Sequence, residues 1–210
     1  CWLKPQAIVI TGFGRLLHKE SKYRKFFFFL LLFFYKNSLV VCLNRDDFKI
    51  IKALGFKSVH QIKGEGFKSK RGQNGNLLKK GDFLYIGRLL KTKGVSLLID
   101  SFLESNLKNK TLNIVGDHDF FNSDSLTQKE IDSYIENSKG SIRFFGFEKD
   151  LSKFYSNGAV YISASKREGM PFSVLEALDA GLNCILSKVP GHKEFKNFSN
   201  VSFFSGKDEL

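Results

Sequence analysis

The apolar positions of this chain fall into short runs that alternate between strand-like and helix-like spacing. Residues 7–10 (AIVI) form an unbroken apolar run, predict a strand, and end at the turn Thr11-Gly12-Phe13-Gly14. A basic helix is expected next, leading into the apolar run 26–35 (FFFFLLLFFY). Residues 39–43 (LVVCL) predict a second buried strand. Residues 46–54 predict a helix, with Phe48, Ile51 and Leu54 at three-residue intervals and Gly55 as its stop. A third strand is expected over 58–62.

The texture changes over 67–80, where the pattern loses periodicity and turns polar. That stretch carries Lys68, Lys70, Arg71, Lys79 and Lys80 and no acidic residue. It marks the expected boundary between a remnant of a first lobe, 1–66, and a second domain, 67–210. From there strands and helices alternate. Strands are predicted at 83–86, 111–115, 142–145, 159–163, 184–186 and 201–204. Helices are predicted at 95–103, at 125–137 behind a Ser125–Gln128 capping box, at 151–155, and at 171–180 with Pro171 in the first turn and Gly181 past the end. Such alternation implies right-handed crossovers and a parallel sheet covered on both faces, an α/β Rossmann-like domain. Ligands of such sheets bind beyond the carboxyl ends of the strands.

Composition narrows the class. With 210 residues, 42% hydrophobic and 26% charged, the chain has the make-up of a folded domain plus part of another. A formal charge of +12 suits an anionic partner: nucleic acid, an acidic membrane, or the phosphates of a small ligand. Cys1, Cys42 and Cys184 are an odd number without CxxC spacing, which favours a reducing cytoplasm over a disulfide framework or zinc site. His18, His60, His118 and His192 are dispersed, with no ligand spacing. Because the chain opens on Cys1 and its only methionine is Met170, its natural N-terminus is expected upstream. The final KDEL matches a retention signal that means nothing without a secretory entry signal, and is read as coincidence. The run 26–35 covers about 15 Å as a helix, against the roughly 20 residues needed to cross a bilayer.

Two loops carry candidate chemistry. After the strand at 83–86 comes GRLLKTKG, residues 87–94. Gly87 permits a sharp turn, and Arg88 and Lys93 then sit before a helix N-terminus, where unpaired N–H groups already favour anions. An Arg can grip a phosphate through two parallel hydrogen bonds, and a Lys acts as a point charge. The spacing is not that of a Walker loop. Two roles stay open on these residues alone: a diphosphate clamp and an ordinary solvated loop. After the strand at 159–163, Glu168 stands in the loop and Glu176 about one and a half turns inside the next helix. Gly169 allows a ligand close to the backbone, and Pro171 sets the helix start. Glu168 also reads as a favourable charge at a helix N-terminus, and Glu176 as a surface residue.

The string EGMPFSVLE (168–176) resembles the E-x7-E motif of retaining GT-B glycosyltransferases of family 4, and GRLLKTKG resembles that family's donor-phosphate loop. Residues 113–117 (NIVGD), 142–147 (IRFFGF) and the phrase from Ala159 to Glu194 are similar to the family in the same order, and Gly64 to Phe67 looks like the crossover joining its lobes. The stretch 117–122 (DHDFFN) looks like an insert of bacterial members that extend surface polysaccharides and lipid-linked oligosaccharides. The resemblance covers about residues 39–210. It implies a GT-B fold and transfer of a hexose from a nucleotide-sugar donor, a UDP-sugar and by the insert an N-acetylhexosamine, without a metal or other cofactor. Arg88 and Lys93 would neutralise the donor diphosphate, and Glu176 would hydrogen-bond the ribose. Glu168, with the N–H groups of Gly169, Met170, Pro171's neighbour Phe172 and the adjoining turn, would face sugar and diphosphate. Most of an acceptor lobe and a final crossing helix are then expected outside the chain, which by itself would bind donor weakly and transfer no sugar.

Arg15, Lys19, Lys22, Arg24 and Lys25 precede the Phe-rich run. Together they suit a helix lying on an anionic membrane, where a polyprenyl-linked acceptor would be found; a buried helix of the first lobe is the other option. The expected place is the cytoplasm, peripheral on the inner face of the cell membrane. A nucleic-acid-binding module also fits the charge. It leaves the paired glutamates and the order of the strand-end loops unexplained, and no RNP, KH or zinc-finger pattern occurs. A GT-B-like pseudoenzyme is a third option, against which the retained Arg88, Lys93, Glu168 and Glu176 argue.

Overall fold

The computed structural model describes residues 7–12, 24–62, 66, 69, 75–105 and 107–210. The basic stretch 13–23, Gly64, Glu65 and Phe67 of the expected crossover, and 70–74 of the linker lie outside the described residues. The chain divides into two compact units. The first comprises Cys1–Phe67, Arg167–Met170 and Pro190–Glu194, and the second Lys68–Lys166, Pro171–Val189 and Phe195–Leu210.

In the first unit β1 (Ala7–Ile10), β2 (Leu39–Cys42) and β3 (Ser58–Gln61) make a parallel sheet in that order, with Leu39 level with both Ala7 and Ser58. The Phe-rich run forms α1 (Arg24–Tyr35). Helix α2 (Arg45–Ala53) starts where Asn44 caps it, its side-chain oxygen accepting the Asp47 N–H at 2.9 Å. β2 is central, and its Val40 and Cys42 meet Ile51 of α2 and Phe56 in a small core. On the other face of the strand Leu39 is exposed and Val41 half-buried, although the run is apolar on every residue.

In the second unit β4 (Phe83–Ile86), β5 (Leu112–Val115), β6 (Ile142–Phe144), β7 (Val160–Ser163), β8 (Asn183–Ser187) and β9 (Val201–Phe204) form one parallel sheet. Its order is β6-β5-β4-β7-β8-β9. Numbered within the unit this is 3-2-1-4-5-6, the doubly wound Rossmann order, which reverses direction between β4 and β7. Helices α3 (Val95–Ser105), α4 (Gln128–Asn137) and α5 (Phe172–Asp179) follow β4, β5 and β7. All four residues of β5 are buried, and Leu112 and Ile114 pack with Leu98, Ile99 and Ile131 from α3 and α4. Each such side chain removed from water contributes about 1.5–3 kcal/mol. The expected Rossmann-like α/β sheet is thus present.

Local details differ from the sequence reading. Helix α4 starts at Gln128, and its capping box is Thr127–Glu130 instead of Ser125–Gln128. Ser125 is engaged elsewhere: its hydroxyl accepts the Asp119 N–H at 2.9 Å and donates to the Leu89 carbonyl at 3.3 Å. Pro171 is the cap of α5, extended, and not a member of its first turn. The helix expected at 151–155 is a single 3-10 turn, Ser152–Phe154. Three elements were not anticipated: 3-10 turns at Lys91–Lys93 and Lys207–Glu209 and the four-residue α6 (Pro190–Lys193). Among the described residues no helix is long and apolar enough to cross a membrane.

Candidate functional site

Where the strand order of the second unit reverses, the loops leaving β4 and β7 run side by side. The Lys166 N–H donates to the Thr92 carbonyl at 2.9 Å. Gly94 ends the Lys91–Lys93 turn in the left-handed region, φ 72°, and an added Cβ there would lie 2.0 Å from the Ala164 carbonyl oxygen. Only a glycine accommodates both the dihedral and the approach. The loop after β4 is fastened along its main chain. Gly87 N–H donates to Val115 O at 2.9 Å, Leu89 N–H to Asp117 O at 3.1 Å, and Lys91 N–H to Asp124 O at 2.7 Å. The Tyr85 hydroxyl donates to the Arg88 carbonyl at 2.9 Å. Asp124 accepts from the Thr92 N–H at 3.0 Å and from the Thr92 hydroxyl. On this fixed frame the Arg88 side chain is exposed and Lys93 half-buried. Lys91 turns away to Glu130, at 3.0 Å.

Across the reversal, α5 carries Glu176, half-buried, whose Oε2 accepts the Tyr155 hydroxyl at 2.8 Å. Ser173, one turn earlier, accepts the Tyr161 hydroxyl at 2.8 Å. Burial first, and the Glu176 charge next, push the Tyr155 phenol well above its ordinary range, so it stays protonated and donating. Phe172 is exposed beside Pro171 at the start of the helix. Gly87, Arg88, Lys93, Pro171, Phe172 and Glu176 thus belong to the second unit.

Glu168, Gly169 and Met170 belong to the first. There the Gly169 carbonyl accepts from the Asn44 side-chain amide at 3.2 Å, and the Glu168 carbonyl from the Gly191 N–H at 3.1 Å. A Cβ on Gly169 would lie 1.5 Å from the Thr11 carbonyl oxygen, so the loop rests directly on main chain. Asp47 is buried beneath Asn44; burial raises its pKa, against which the Asn44 hydrogen bond and the Arg167 charge pull it down. His192 is fully buried in α6. Neither Cys42 nor Cys184 is a poised nucleophile: burial first pushes their thiols up to about 11 and about 12. Among the described residues no three metal-ligating side chains gather.

Residues 66–200 match the family described as glycosyl transferases group 1. The chain belongs to this family. It is 30% identical over 121 residues to the UDP-Gal:alpha-D-GlcNAc-diphosphoundecaprenol alpha-1,3-galactosyltransferase of Escherichia coli, an alignment covering 55% of this chain and 30% of that protein. Its fold is similar to that of HepE from Anabaena in complex with UDP, with a TM-score of 0.78 at 18% identity over 99% of this chain and 60% of that one. It is similar also to sucrose-phosphate synthase from Thermosynechococcus elongatus, with a TM-score of 0.75 at 16% identity over 97% of this chain and 56% of that one. The chain therefore spans less than two thirds of the length of each of these proteins.

Within this glycosyl transferase domain, several residues that shape the candidate site carry little sequence signal. Tyr155 reads only as the last residue of the short helix expected at 151–155. Tyr85 reads only as one apolar position of β4. Asp124 belongs to the 117–125 loop, whose own hydrogen bonds include Phe121 N–H to Asp119 Oδ1 at 3.3 Å and Asp124 N–H to Asn122 Oδ1 at 3.0 Å. Asn44 could have been found as an N-cap, though not as a support for Gly169.

Proposed function

We propose that the chain is the donor-binding part of a retaining, metal-independent glycosyltransferase of family 4. It takes a hexose from a UDP-sugar and passes it to a growing bacterial surface glycan or polyprenyl-linked oligosaccharide. The observation that carries this reading lies in the second unit. At the strand-order reversal of a glycosyl transferases group 1 domain, a loop bearing Arg88 and Lys93 is hydrogen-bonded to the start of the loop after β7, and the helix α5 beyond that loop bears a fixed Glu176. Cleavage of the sugar–phosphate bond builds negative charge on the leaving diphosphate, and prepositioned cations and N–H groups lower that barrier. Arg88 and Lys93 take this role, and Glu176 accepts from a ribose hydroxyl. Glu168 and the main chain of Gly169 to Phe172 act on the sugar and diphosphate, and the acceptor hydroxyl attacks from the face the diphosphate leaves, giving its proton to the leaving phosphate. The named donor and acceptor of the Escherichia coli relative and the UDP bound by HepE support the choice of nucleotide and acceptor class.

The protein works at the inner face of the cell membrane. Phe26, Phe29 and Phe33, at helical spacing on α1, are 62%, 63% and 68% exposed, and the net charge is +12. Such a face suits an anionic interface.

The test is ligand-observed NMR of the whole chain against UDP, GDP and ADP, then UDP-galactose and UDP-N-acetylglucosamine. Selective UDP binding is expected, weakened about tenfold or more in Arg88→Ala, Lys93→Ala and Glu176→Ala. Equal affinity for all three nucleotides, or tighter and salt-sensitive binding to RNA, sinks the proposal. Sedimentation with phosphatidylglycerol vesicles but not phosphatidylcholine vesicles is expected; indifference to both removes the membrane assignment.

A further inference from the structure

Helix α5 is tied to the second unit by two phenols reaching the same helix face. Tyr161 donates to Ser173 and Tyr155 to Glu176, each at 2.8 Å, and the two acceptors stand three residues apart. Both rings are buried, at 1% and 3% exposure. The two bonds have different consequences. The first joins two neutral hydroxyls. The second fixes a carboxylate that is itself only half-buried.

The position of the Tyr155 hydroxyl is set from both sides of its main chain. Upstream lies the Ser152–Phe154 turn, with Phe154 fully buried and its ring 4.9 Å from that of Phe145. The Tyr155 carbonyl accepts the Gly75 N–H at 3.1 Å, and the Ser156 hydroxyl accepts the Leu78 N–H at 3.0 Å. A phenol has one proton to give, and this one goes to Glu176 Oε2. An ionised carboxylate has about four acceptor directions. With one oxygen held, rotation of the group is stopped and the other oxygen is left to accept from a ligand.

We infer that Tyr155 is a positioning residue, which holds the Glu176 carboxylate in the orientation that reads the ribose hydroxyls of the nucleotide. The inference rests on the assignment of Glu176 to the ribose made above. Tyr155 touches no substrate. Its contribution is directional: it fixes where one acceptor points, and so it affects ligands with ribose hydroxyls and spares ligands without them.

The experiment compares UDP with 2′-deoxy-UDP and 3′-deoxy-UDP by calorimetry on the full chain, in wild type, Tyr155→Phe and Tyr161→Phe. Tyr161→Phe removes the other buried phenol bond to α5, the one to Ser173, and keeps the Tyr155 hydroxyl that donates to Glu176, so it serves as the comparison for loosening the helix. Wild type and Tyr161→Phe are expected to prefer UDP over at least one deoxy analogue. In Tyr155→Phe that preference falls by about fivefold, while affinity for the disfavoured analogue is unchanged. A Tyr155→Phe protein with the wild-type preference, or one that loses affinity equally for all three ligands, overturns the positioning role and leaves Glu176 on the ribose. No preference in wild type overturns the ribose assignment, and the positioning role falls with it. Thermal melts of all three proteins establish that each is folded.

Discussion

The loop after β4 and helix α5 hold their charges in opposite ways. In the loop the main chain is fastened at Gly87, Arg88, Leu89 and Lys91, while the Arg88 side chain is left exposed. In α5 the side chain itself is fastened, through the Tyr155 bond to Glu176. The difference matches what each charge is proposed to meet. Attraction between a cation and a diphosphate falls slowly with distance and depends little on angle, so an exposed guanidinium on a fixed base suffices. A hydroxyl is recognised through a hydrogen bond that weakens steeply away from linearity, so its acceptor must be aimed.

The largest effect is expected from breaking the loop's main chain. Gly94→Ala places a Cβ 2.0 Å from the Ala164 carbonyl oxygen at a φ of 72°. The variant should lose about 3 kcal/mol or more of stability, combining backbone strain with overpacking. Urea unfolding measures it, and an unchanged midpoint would show that the two loops are not locked together.

A smaller effect sharpens the comparison by salt. Arg88→Ala and Glu176→Gln are each expected to weaken UDP binding by about tenfold at low ionic strength. Raising salt from about 0.05 M to about 0.5 M should shrink the Arg88 deficit to about threefold, because exposed charges are screened, and leave the Glu176 deficit in place. Calorimetry at the two ionic strengths decides; equal shrinkage would erase the distinction.

The smallest concerns the cap behind the loop. The Thr127 N–H, then Lys91 and the Thr127 hydroxyl, lower the Glu130 pKa from 4.5 to about 2. A carboxyl with a depressed native pKa contributes stability above its unfolded value and loses it as pH falls through the native one. Melting temperature should therefore fall between pH 4.5 and about 2 less steeply in Glu130→Gln than in wild type. Superimposable pH profiles would contradict this.

Most of the second unit could be read in advance. Parallel strands such as 83–86 (FLYI) show as unbroken apolar runs, and glycines and polar turns separate them from amphipathic helices. The candidate loops followed from the rule that ligands bind at carboxyl ends of strands. The segment SLTQKE shows where such reading stops. It holds two capping boxes, Ser125–Gln128 and Thr127–Glu130, and local chemistry favours neither. The outcome turned on Leu89 and Asp119, which claim Ser125 from elsewhere in the chain.

The sequence by itself determined β1 to β9 and the helices α1 to α5, because periodicity and turn residues act over a few neighbouring positions. It also determined that cations and glutamates fall in loops and helix starts after strands, where a parallel sheet presents ligands. Only the tertiary structure decided the strand order with its reversal between β4 and β7, the choice of capping box, and the partnership of Tyr155 with Glu176, 21 positions away. Those outcomes rest on contacts between distant segments, and a hydrogen bond across such a distance in sequence leaves no periodic trace in the chain that makes it.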